Sequence, residues 1–89
     1  MAVYVDPLQT VLRKANWRWP RACHMIADSL AELHEFAKRL GLKPSWFQGP
    51  PGHTTPHYDL TPGMRAKAVR MGAEEVDIFA FTEKVRELP

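Results

Sequence analysis

The sequence predicts a small α/β domain, a sheet of three or four partly parallel strands covered by two or three helices. Three observations predict it. Short β-branched or apolar runs alternate with amphipathic stretches along the chain. A Ser, Thr or Asp precedes each amphipathic stretch, and Gly41 and Gly72 follow two of them. An α+β arrangement on an antiparallel sheet is the alternative, because residues 7–21 carry no clear crossover-helix pattern.

Ala2-Val3-Tyr4-Val5 is β-branched and aromatic, and Asp6-Pro7 stops it, so it predicts a first strand. Residues 8–21 are ambiguous. Leu8, Val11 and Leu12 have helical spacing, whereas Asn16-Trp17-Arg18-Trp19-Pro20 is irregular. Ala22 to Ala27 predicts a second strand, bounded by Asp28. Ser29 and Glu32 form a capping-box sequence, which predicts a helix over 29–40. Leu30, Leu33, Phe36, Ala37 and Leu40 share one arc of it, with Glu32, Glu35 and Arg39 opposite, and Gly41 supplies the stop. Residues 42–48 hold Pro44 and then Trp46-Phe47, a short turn leading into extended chain. The Gly/Pro-rich stretch 49–56 is a loop by composition. His57 to Leu60 is a third strand candidate. Thr61 with Pro62 starts a second helix that ends at Gly72. Glu74-Glu75-Val76 is a short strand candidate, and Asp77 caps a last helix with Ile78, Phe81, Val85 and Leu88 on one face. Phe79 lies off that arc and is a candidate contact for a homo-oligomer.

At 89 residues the chain fits a single domain, 1–89, with an expected radius of gyration of about 12 Å. Its 45% hydrophobic and 25% charged content is that of a globular protein. The lone Cys23 excludes an intramolecular disulfide and a multi-cysteine zinc site. No apolar run approaches the ~20 residues of a membrane span, and MAVYVDP lacks the features of a signal peptide, so a soluble cytoplasmic domain is expected. The net charge of +2 does not announce a nucleic-acid binder. The basic excess is confined to the first third, where Arg13, Lys14, Arg18 and Arg21 face only Asp6 and interleave with Trp17 and Trp19.

VYVD at 3–6, HMIAD at 24–28, ELHEFAKRLGL at 32–42, WFQ at 46–48, HYDL at 57–60 and RAKAVRMGA at 65–73 occur in this order and spacing. Together they resemble a family of small bacterial and phage proteins known as domain of unknown function 4031. The resemblance covers nearly the whole chain and implies no catalytic role. It implies that His24, Asp28, His34, Trp46, Gln48, His57, Asp59 and Arg65 belong to the family signature. Arg65, His24, Trp46 and Gln48 are the ligand-binding candidates among them.

Four constellations could carry chemistry. Asp6, Asp28, Asp59 and Asp77 each end or directly follow a strand. On a parallel sheet the first three would converge on a divalent cation, Mg²⁺ or Mn²⁺. Capping is the competing role for Asp28 and Asp77, and a plain turn for Asp6. His57 and Asp59 alternate, so a strand turns both to one face as an acid–base pair, with His34 the further catalytic candidate. About four residues of strand separate His24 from Asp28, roughly 13 Å, so those two should not share a site. His53 and His57 have H-x₃-H zinc spacing, but the Gly/Pro-rich loop around them opposes a helix. Arg65 sits on the apolar stripe of its helix and needs a carboxylate or an anion. Asp59, the nearest acid, is the expected partner. Two function classes follow. One is a small-ligand or phosphate-handling protein with a His/Asp/Arg site. The other is a nucleic-acid or protein interaction module built on the Trp/Arg segment 17–21.

Overall fold

The computed structural model describes residues 2–10, 21–50 and 55–88. Val11, Leu12, Trp17, Arg18, Trp19 and His53 lie outside the described residues. The elements run β1 (Val3–Val5), β2 (Gln9–Thr10), β3 (Arg21–Ala27), α1 (Leu30–Leu40), a 3₁₀ turn (Pro44–Trp46), β4 (Tyr58–Leu60), α2 (Pro62–Arg70), β5 (Glu74–Glu75) and α3 (Ile78–Glu87).

The sheet is mixed, and the fold is α/β. β3 is its longest strand and pairs antiparallel with β1, β2 and β4. β1 also pairs with β5, in parallel. The sheet is thus one strand larger than the sequence predicts. The addition, β2, falls in the stretch whose apolar residues have helical spacing. Between Val5↔Met25 and Gln9↔Ala22 the first arm holds one residue more than β3. That extra residue falls at Asp6-Pro7-Leu8, where Pro7 has no N–H to give a ladder.

Alternation along the strands divides the sheet into two faces. Val3, Val5, Cys23, Met25, Ala27, Tyr58 and Leu60 are buried in one core with Leu33, Phe36, Ala37 and Leu40 of α1 and Ala68 of α2. Tyr4, His24, Ile26 and Asp59 take the alternate positions, and α3 meets that face. Phe81 lies against the His24 ring, with centroids 6.1 Å apart, and the Lys84 ammonium sits 5.0 Å from the Tyr4 ring centroid. No described side chain of α3 is buried, and Phe79 is 81% exposed. The radius of gyration is 12.2 Å, in line with the chain length.

The predicted caps are in place. Ser29 Oγ accepts from Glu32 N at 3.2 Å, Thr61 Oγ1 from Met64 N at 3.2 Å, and Asp77 Oδ1 from Ala80 N at 2.8 Å. Gly41 ends α1 at φ 98°, a conformation that glycine adopts without strain. Among the described residues, no helix is long and apolar enough to cross a membrane.

Candidate functional site

The antiparallel register of β3 and β4 sets His24 directly opposite Asp59. His57 precedes β4 and forms a bridge to Gln48, which brings the chain after the 3₁₀ turn alongside. His24, His57, Asp59 and Gln48 therefore come together from three separate segments. His57 Nε2 lies 3.4 Å from Asp59 Oδ1, and His24 Nε2 lies 3.9 Å from the same oxygen. The two imidazole rings meet edge to face at 5.4 Å.

Each member is held at its other end. His24 Nδ1 lies 2.8 Å from Asp6 Oδ2. Asp6 is 1% exposed and also accepts from His24 N at 2.6 Å and Gln9 Nε2 at 3.1 Å. His57 Nδ1 donates to the Thr55 carbonyl at 2.8 Å. Gln48 Nε2 donates to Asp59 Oδ2 at 2.6 Å. Fixed partners of this kind determine ring orientation and tautomer.

The electrostatics follow the contacts. The hydrogen bond to Asp6 raises the pKa of His24 against the opposing effect of burial. The contact with Asp59 raises His57 in the same way, with burial again opposing. Burial works to raise the Asp59 carboxyl, but the bonds from His57 and Gln48 outweigh it and hold the group below the usual range. The cluster thus favours positive charge among its nitrogens and negative charge on Asp59.

Other candidates lie elsewhere. The expected carboxylate edge does not form, because β1 and β3 run antiparallel and place Asp6 and Asp28 at opposite ends of their pairing. Asp28 accepts from Tyr4 Oη at 3.0 Å and from Ala2 N at 2.9 Å, and Asp77 caps α3. Of the three carboxylates expected to bind a cation, Asp59 is in the cluster and Asp6 stands behind it. His24 and Asp28 are apart, as expected.

The Arg65–Asp59 pair is also corrected. Arg65 NH1 bonds Glu75 Oε1 at 2.8 Å, and Arg65 Nε donates to the Asp6 carbonyl at 2.9 Å. The parallel pairing of β1 with β5 carries Glu75 beside Val5, within reach of α2, while Asp59 is taken by Gln48 and His57. His34 Nδ1 meets Tyr58 Oη at 2.9 Å and packs edge-on to Phe47. Tyr58 alternates with His57 and Asp59, so His34 belongs to the other face of the sheet. Trp46 is half exposed beneath the Lys43 ammonium. Sequence reasoning missed the support roles of Asp6 and Glu75. The signal for Asp6 was its place one residue past a strand that pairs with the His24 strand, and that requires the register.

The family model described as "Protein of unknown function (DUF4031)" matches residues 3–88. No curated protein and no solved structure matches the chain.

Proposed function

On the premise that the chain belongs to the DUF4031 family, we propose that it binds a small ligand on the α3 side of the sheet, through His24, His57 and Asp59. One observation carries this reading. Three ionisable side chains converge, and each is fixed from behind by a dedicated acceptor or donor, namely Asp6, the Thr55 carbonyl and Gln48. Folding alone gains little from such a group, since partly exposed polar clusters contribute modestly to stability. Binding and acid–base chemistry gain a great deal, because groups whose orientation is preset lose less entropy when they engage a ligand.

Mapping ¹⁵N and ¹³C shifts against a panel of phosphate, carboxylate and metal-ion ligands tests the reading. Shifts centred on residues 24, 48, 57 and 59, lost in His57→Ala, support it. Shifts confined to 17–21 under nucleic-acid titration, weakening steeply with salt, would support the interaction-module alternative instead.

A further inference from the structure

Resting on that ligand-site reading, we propose that the ligand is a divalent transition-metal ion held by His24 Nε2, His57 Nε2 and one carboxylate oxygen of Asp59. The placement of protons leads there. The Asp6 carboxylate already accepts from His24 N and Gln9 Nε2, so it accepts from His24 Nδ1 as well. The Thr55 carbonyl can only accept, so His57 Nδ1 carries its proton. In each neutral ring the lone pair then resides on Nε2. Both Nε2 atoms are turned toward Asp59 Oδ1, at 3.9 and 3.4 Å. One ligand atom from each residue lies within 4.8 Å of the others. Two imidazole nitrogens and a carboxylate oxygen gathered this closely can be shared by one cation. A proton bridges one pair at a time, whereas a metal ion meets all three.

The dimensions suit an ion. Metal–ligand bonds of about 2.0–2.2 Å place neighbouring ligand atoms roughly 3–3.5 Å apart, so small side-chain rotations close this cluster. The support is also that of a metal site. Ligating histidines donate their second N–H to a carboxylate or carbonyl, and ligating carboxylates are themselves hydrogen-bonded. Asp6, Thr55 and Gln48 supply all three contacts.

The donor set chooses the class of ion. Two imidazole nitrogens and one oxygen suit zinc, iron(II), cobalt(II), nickel(II) or manganese(II), not the all-oxygen preference of magnesium or calcium. With Oδ2 committed to Gln48, Asp59 offers Oδ1 alone. Three protein donors leave at least one coordination position open, the arrangement of a working metal site rather than a closed structural one. A phosphate or other anionic oxygen ligand could take the open position on the ion.

The test is a Co²⁺ titration of the intact protein, followed by visible absorption and by long-range ¹H–¹⁵N correlations of the histidine rings. Zn²⁺-dependent thermal unfolding runs alongside. Co²⁺ should saturate at one equivalent. Zn²⁺ should raise Tm and shift the Nε2 signals of His24 and His57 while their Nδ1–H correlations persist. His24→Ala and His57→Ala should each abolish saturation. Gln48→Ala and Asp6→Asn keep all three ligands and should weaken binding by about 10–100-fold, so they carry the test if an alanine variant does not fold. A folded wild-type protein that does not saturate with either ion overturns the proposal, as does saturation that survives His24→Ala. If His24 and His57 respond to inorganic phosphate and to neither metal, the metal assignment falls and the ligand-site reading stands. If they respond to none of these, both fall.

Discussion

Asp6 is the residue on which the geometry of His24 depends. It is buried and takes hydrogen bonds from a backbone N–H, a ring N–H and an amide. Asp6→Ala strands those donors and should cost about 1–3 kcal/mol in urea unfolding. A change under about 0.5 kcal/mol, the range of an ordinary surface substitution, would mean that water replaces the carboxylate at no cost. Arg65 makes a different case. Its carboxylate partner Glu75 is 57% exposed, so a double-mutant cycle of Arg65→Met with Glu75→Gln should give a coupling of about 0–1 kcal/mol. The same cycle against Asp59→Asn should be additive, and measurable coupling there would restore the pairing that sequence proximity suggests. Cys23 faces the core, and burial pushes its thiol from about 9 up to about 12. The unfolded chain therefore loses this proton first as pH rises. The contribution is intact below about 9 and is lost as pH climbs toward 12, so stability falls across that window. Cys23→Ala should flatten this part of the pH–stability curve. An unchanged slope would assign it to other groups.

Among the elements, β3 and α3 are opposites. β3 pairs on both edges and supplies Cys23 and Met25 to the core. α3 buries no described side chain and touches the sheet through Phe81 and Lys84. Amide exchange should find β3 among the slowest segments, opening only with global unfolding, and α3 faster through local opening. Equal protection of the two would show that α3 is held by more than these contacts. The helices were legible because their signals are local. Ser29, Thr61 and Asp77 each accept from an N–H three residues on, and Pro62 has no N–H to satisfy. The His57–Asp59 pairing was legible for a similar reason, since alternation alone turns both to one face. β2 was not, because its two residues are strand only by pairing with Arg21 and Ala22. The Asp6–His24 and Arg65–Glu75 contacts were not, because each depends on a strand register formed between distant segments. Sequence proximity pointed Arg65 to Asp59, and the parallel β1–β5 pairing answered with Glu75.

At the scale of the molecule, the two faces of the sheet divide the labour. The face under α1 and α2 holds the apolar core, and the face toward α3 gathers His24, His57, Asp59 and the buried Asp6. The α3 side also buries Ile26 and Tyr4, so the polar cluster occupies only part of that face. The central claim is that the polar cluster is a preorganised site for a transition-metal ion. Crystals grown with Zn²⁺, with diffraction recorded on both sides of the zinc absorption edge, test it most directly. The account predicts an anomalous peak about 2.0–2.2 Å from His24 Nε2, His57 Nε2 and an Asp59 carboxylate oxygen, with Asp6 and Gln48 still in their present contacts. A zinc-soaked crystal with no peak at the cluster, or with its only peak on other residues, would contradict it.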